Sequence, residues 1–189
     1  MNPHEIVSFD IIPIELPLIE PFIISYGAAV GVESVLVRVI DRAGNVGWGE
    51  GTPDETVTGE TPATLRHDLT DAGAPGMLGF DARRRDLAMN ELERLLPDRP
   101  TARCAIDIAL HDLAGRKAGI PVWALLGGSK STLQISRVVS MREPEQMAAD
   151  AQRHVANGFV TVKLKVGQKD DTAKDIARVA AVRAAIGPD

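Results

Sequence analysis

The sequence predicts an α+β region followed by the opening units of a parallel α/β structure that stops in mid-fold. Three observations predict it. Residues 6–51 hold three β-patterned runs separated by turn residues. Residues 62–118 hold three helical patterns in succession. From Thr132 onward the pattern is strand, helix, strand, helix with short connections, and two parallel strands neither close a barrel nor fill a sheet.

The elements read as follows. Ile6 to Leu16 is a strand, closed by Pro13 and Pro17. Pro21 to Gly31 is a loop whose apolar residues make it either a lid or a segment folded onto the core. Ser34 to Ile40 alternates and is rich in β-branched residues; Gly44 turns the chain, and Val46 to Glu50 returns as its partner. Thr52 to Thr61 is a second, polar loop. Thr61 then caps a helix with Pro62 in its first turn. Helices follow over Pro62–Asp71, Asp81–Leu96 and Thr101–Ala118. In the third, Ile106, Leu110 and Leu113 form one stripe beside Ala102, Ala105 and Ala109, wide enough to be buried against a sheet or another helix. Pro121 to Leu126 is a short helix ending at Gly127-Gly128. Thr132–Met141 is a strand, Glu145–Asn157 a helix with Gly158 at its C-terminus, Gly158–Gly167 a strand, and Asp171–Ile186 a helix ended by Gly187.

Composition narrows the possibilities. At 189 residues, 44% hydrophobic and 25% charged, this is ordinary globular material. The net charge is −5 with scattered basic residues, which argues against nucleic acid as a partner. The single cysteine, Cys104, excludes an intrachain disulfide and is expected to be a small buried residue. No apolar run reaches the roughly 18 residues of a membrane span, and Met1 to Glu5 lacks the pattern of a signal peptide, so the cytoplasm is the expected location.

The strand 158–167 carries the chemistry. Val160, Val162, Leu164 and Val166 share one face; Thr161, Lys163 and Lys165 share the other. Two lysines about 6.5–7 Å apart at Cα on a face that is normally covered are costly unless paired. Either they stand on an edge strand in water, or they point into a barrel mouth. In a mouth, a like charge and a nearby metal ion favour the neutral amine, which can take a proton from carbon.

Other motifs carry less. Gly127-Gly128-Ser129-Lys130 lacks the glycine directly before lysine and the preceding strand that a phosphate loop needs. The pairs His67-Asp68 and His111-Asp112 lie on helices and lack further converging ligands in the pattern; Asp107 and His111, four apart, read as a surface pair.

Four segments then stand in order: Gly47-Trp48-Gly49-Glu50-Gly51; Ala102 to Gly115 with Pro121 to Gly128; Val162 to Gly167, containing Lys163-Leu164-Lys165; and Val182 to Gly187. Together they resemble the front half of an enolase-superfamily enzyme, in the mandelate racemase/muconate lactonizing enzyme family. The third segment matches the Lys-x-Lys of the muconate-lactonizing subgroup. The resemblance implies an α+β capping domain over 1–128, followed at 129–189 by the first βαβα units of a modified (β/α) TIM-type barrel. It implies that Lys165 is the acid/base that exchanges a proton α to a carboxylate, with Lys163 assisting electrostatically. It implies that two capping loops set specificity, here carrying Phe22, Ile24 and Tyr26, and Asp54 and Thr58. The implied cofactor is Mg²⁺, which stabilises an enediolate. Its three acidic ligands are expected on the third to fifth barrel strands, past Asp189, and an opposing lysine on the sixth. No metal ligand is therefore expected within this chain. The implied partner is a small carboxylate, and homo-oligomers are familiar in the superfamily.

Val57-Thr58-Gly59-Glu60-Thr61 resembles the corresponding loop of dipeptide epimerases, which act on peptides such as alanyl-glutamate. Muconate cycloisomerases, o-succinylbenzoate synthases and N-acylamino-acid racemases share the other segments. Val138 departs from the threonine of some dipeptide epimerases. A reading of another class is a non-catalytic truncated fragment without a metal site.

Overall fold

A computed structural model describes residues 1–25, 27–130 and 132–188. They form two compact units: Met1–Leu16 with Val32–Ser129, and Pro17–Gly31 with Lys130–Asp189.

A three-stranded sheet of order β1-β2-β3 opens the chain, with β1 at Ile6–Ile24, β2 at Gly27–Asp41 and β3 at Val46–Gly51. The expected loop at 21–31 is therefore largely strand. Only two residues separate β1 from β2, so these neighbours run antiparallel. The prolines that were expected to end β1 do not, because β1 is an edge strand. Pro13, Pro17 and Pro21 lie four apart and so face one edge. Ile23, of the same parity, turns its carbonyl away from β2 to accept from the Met141 amide at 3.0 Å. A missing N–H on the open edge breaks no ladder bond.

The first unit is built on one packing decision. On β2, Val35, Val37 and Val39 are fully buried, and in the antiparallel register they face Gly51, Gly49 and Gly47 of β3. The glycines make room for helix α5, Pro100–Ala118, which lies directly on β3. A Cβ at Gly49 would overlap the Ala105 carbonyl oxygen and come within 2.7 Å of the Ala109 nitrogen; one at Gly47 would come within 2.6 Å of the Leu113 Cβ. The alanines expected on the buried stripe of α5 are thus the other half of a close backbone contact. Ile106, Leu110 and Leu113 complete the core with Leu65, Leu69, Met77 and Leu92, each such side chain contributing about 1.5–3 kcal/mol on burial.

Between sheet and α5 the chain forms α1 (Glu55–Thr58), α2 (Pro62–Asp68), a π-turn at Leu69–Gly73, α3 (Ala74–Met77) and α4 (Arg85–Leu95). Thr61 caps α2 by accepting from the Thr64 amide at 3.2 Å, as its sequence predicts. Helix α6 spans Val122–Leu125. Cys104 corrects an expectation: it is exposed, one position off the stripe of α5 that carries the core.

In the second unit, β4 (Arg137–Val139) and β5 (Val162–Leu164) pair in parallel, and α7 (Pro144–Ala156) and α8 (Thr172–Ile186) pack on one face of them. Val139, Met147, Ala151 and Val182 are buried there, with Val162, Leu164 and Ile186 against them. Both strands are shorter than their sequence patterns, because each finds one ladder partner among the described residues and that partner is itself short. No helix among the described residues is long and apolar enough to cross a membrane.

Candidate active site

The lysine strand sorts its side chains as its period-two pattern requires. Val162 and Leu164 go to the helix side. Val160 and Val166, expected on that buried face, are 72% and 42% exposed, because they lie outside the short paired segment. Lys163 and Lys165 take the other face. Lys163 pairs in register with Val138 and is exposed. Lys165 lies just past the C-terminal end of β5, its amide donating to the Val139 carbonyl at 3.0 Å, and it is half-buried. In parallel α/β structures this strand end is where reactive side chains collect.

What half-buries Lys165 includes the β1 tip, which belongs to the same unit. The Lys165 Nζ stands 5.5 Å from the centroid of the Phe22 ring, within reach of a cation–π contact. The Ile23 carbonyl is bound by the Met141 amide just past β4. Glu20 accepts from Arg142 Nη2 at 3.0 Å and pairs with Arg153 at 3.8 Å. Phe22 is thereby held on both sides in sequence. Ile24 is half-buried in the same tip. Tyr26, the third residue expected there, lies outside the described residues.

Asp54 and Thr58 belong to the first unit. Asp54 caps α1: its Oδ1 accepts from the Thr56 amide at 3.0 Å and the Val57 amide at 3.3 Å. The Thr58 hydroxyl donates to the Asp54 carbonyl at 3.0 Å. Both polar groups thus shape their own turn. Gly59 closes it with a positive φ of 73°, which a side chain would strain.

Two charged groups of structural weight escaped the sequence reading. Glu60 is fully buried, and its carboxylate accepts from the Thr101 and Ala102 amides at 2.9 and 3.1 Å, satisfying the first N–H groups of α5. Its only sequence signal was an acid 40 residues before a helix that starts with proline. Arg178, 3% exposed on α8, donates to the Arg142 carbonyl and to Asp175, each at 2.7 Å.

Among the described residues no three His, Cys, Asp or Glu side chains converge as a metal site. These residues therefore do not fit a Mg²⁺ centre by themselves.

Comparison with known proteins places this geometry. The family model for the mandelate racemase / muconate lactonizing enzyme N-terminal domain matches residues 8–127, and that of the enolase C-terminal domain-like family matches 146–189. The chain is 34% identical over 97% of its length to an L-Ala-D/L-Glu epimerase of Bacillus subtilis, of which it covers 50%. It is 33% identical over 98% of its length to an N-succinyl-L-Arg/Lys racemase of Bacillus cereus, again covering 50%. The crystal structure of that racemase superposes with a TM-score of 0.94 over 98% of this chain and 50% of the other. A dipeptide epimerase from Enterococcus faecalis, complexed with Mg and the dipeptide L-Leu-L-Tyr, does so with a TM-score of 0.93 at 33% identity, over 97% of this chain and 51% of the other. The chain spans about half the length of the curated relatives it matches. Family models and superposed structures thus agree, and the chain belongs to the mandelate racemase/muconate lactonizing enzyme family of the enolase superfamily.

Proposed function

We propose that the whole protein is an isomerase that inverts the carbon α to a carboxylate, with a dipeptide of the alanyl-glutamate kind as substrate and Lys165 as the base. The observation that carries the reading is the placement of Lys165. It sits at the C-terminal end of a parallel strand, on the face away from the helices, half-buried and 5.5 Å from the Phe22 ring. The relatives named above are epimerases and racemases of amino-acid derivatives, which supports that choice over cycloisomerisation or o-succinylbenzoate synthesis.

In this reading the Lys165 Nζ takes the α-proton, and the C–H electron pair moves into the adjacent carboxylate. The ammonium so formed gains the face of the Phe22 ring. Return of a proton from the opposite face inverts the centre, by a group that is not among those described. Lys163 lends positive charge beside the base. Phe22 and Ile24 contact substrate from the tip, Tyr26 is assigned a substrate contact as well, and Asp54 and Thr58 are assigned to specificity. Mg²⁺, seen in a related structure, would be held by groups other than the described ones and would stabilise the negative charge that develops on the carboxylate. Residues 1–128 would serve as the cap and 129–189 as the start of the barrel. Residues 1–189 alone are expected to be inactive, and the whole protein to be a cytoplasmic homo-oligomer.

The test is proton exchange. In the intact protein, Lys165→Ala should abolish exchange of the substrate α-proton with deuterated water across a dipeptide screen in which the wild type exchanges. Persistent exchange in the variant excludes Lys165 as the essential base.

A further inference from the structure

We infer that Asp175, acting with Arg178, is a positioning residue that holds Lys165 and the Phe22 ring in register. The inference rests on Lys165 being the base. Asp175 lies in the first turn of α8 and reaches back across the loop that follows the lysine strand. Its Oδ2 accepts from the Gly167 amide at 2.7 Å and the Gln168 amide at 2.9 Å. Those amides begin two residues after Lys165, at a glycine whose φ of 105° suits few other residues. Its Oδ1 accepts from Arg178 Nη1 at 2.7 Å. The Arg178 Nε donates to the Arg142 carbonyl at 2.7 Å, on the loop after β4. That same loop binds the Ile23 carbonyl through the Met141 amide and Glu20 through the Arg142 guanidinium. One carboxylate therefore fastens the segment that carries the amine. Through a buried arginine it also fastens the segment that holds the ring.

An acid in the first turn of a helix with an arginine three residues on is by itself ordinary helix electrostatics. Two features go beyond that. The carboxylate captures two amides seven and eight residues upstream, and the arginine bridges to a different loop while almost wholly removed from solvent. The Gly167 amide above all, then Arg178 and Gln168, hold the Asp175 carboxyl below its usual range against its desolvation, so it is ionised at neutral pH. An asparagine presents one acceptor oxygen and cannot serve both sides.

The test uses Asp175→Asn in the intact protein. We expect kcat for epimerisation to fall about 10- to 100-fold while KM stays within about twofold, the mark of a misplaced reacting group rather than lost binding. Arg178→Lys, which keeps the charge but not the two-point bridge, should show a smaller fall of the same kind and serves if Asp175→Asn does not fold. A kcat per folded molecule within twofold of wild type in the folded variant overturns the inference and leaves the proposed reaction standing. Failure of the wild type to exchange any α-proton removes the proposed reaction instead. The positioning claim is then decided by the rate at which Lys165 is reductively methylated, followed by peptide mass spectrometry. A severalfold difference between wild type and Asp175→Asn upholds it, and equal rates overturn it.

Discussion

The two units use their distinctive residues in opposite ways. In the first, Gly47, Gly49, Gly51 and Glu60 are spent on packing: three absent side chains admit α5, and one buried carboxylate satisfies its N-terminus. In the second, Lys163 and Lys165 stand off a small core of Val139, Met147, Ala151 and Val182 and contribute nothing to it. A recurring sequence pattern thus means steric necessity in one place and charged side chains left off the core in the other. Burial separates the two: Glu60 is 0% exposed, whereas Lys163 is exposed.

Four substitutions or titrations would break or sharpen that contrast. The largest effect is expected from Gly49→Ala, whose methyl meets backbone that has nowhere to go. Chemical denaturation should show a loss of about 3 kcal/mol, at the upper end for overpacking. A loss under 1 kcal/mol would mean that α5 can ride up on β3. Next comes Glu60→Gln, which leaves one of two amides at the start of α5 facing a donor. About 2 kcal/mol should be lost on the same measurement.

The third contrast is in pH. Burial pushes the His154 imidazole of α7 below its usual range, and the charges of Arg137 and Arg153 add to this against Asp150 and Glu20. The folded state thus favours the neutral ring. Its contribution is complete above the unfolded value of about 6.5 and is lost as pH falls through the folded one. In the first unit, burial raises the Asp41 carboxyl, but hydrogen bonds from Lys117 and Asn45 outweigh it and hold it low. That contribution persists until pH drops below about 4. Amide-exchange protection factors should therefore decline in α7 between pH 7 and 5.5 and hold steady in β2. His154→Asn should flatten the decline. The smallest effect on stability is expected from Lys163→Ala, within about 0.5 kcal/mol of wild type, while the rate of α-proton exchange falls but stays measurable. A large destabilisation would show that Lys163 holds structure after all.

Much of this was legible in the residues. The alternation of Val35, Val37 and Val39, the alanine stripe of α5 and the opposed faces of the lysine strand all follow from periods of 2.0 and 3.6. What stayed hidden depends on partners. Pro13 and Pro17 end a strand only if their edge is needed for pairing, and no local signal says which edge is open. Cys104 missed the core by one helical position. Glu60 and Asp175 bind backbone amides, which have no letter in the sequence, so nothing in the residue pattern marks their targets. Asp54 and Thr58 could be located in a polar loop, but their mutual hydrogen bonds appear only once the turn is closed.

The long β1 strand has a consequence for how such proteins diversify. Phe9 and Ile11 near its start pack on the first core, while Phe22 near its end meets Lys165. Inserting or deleting a single residue between Glu20, which is tied to Arg142, and Phe22 would exchange the two faces of the strand's end. The ring would then be replaced opposite the amine by a neighbour of other chemistry, with the first core untouched. Length variation in this one ribbon, rather than point substitution at its tip, would change abruptly which side chain faces Lys165.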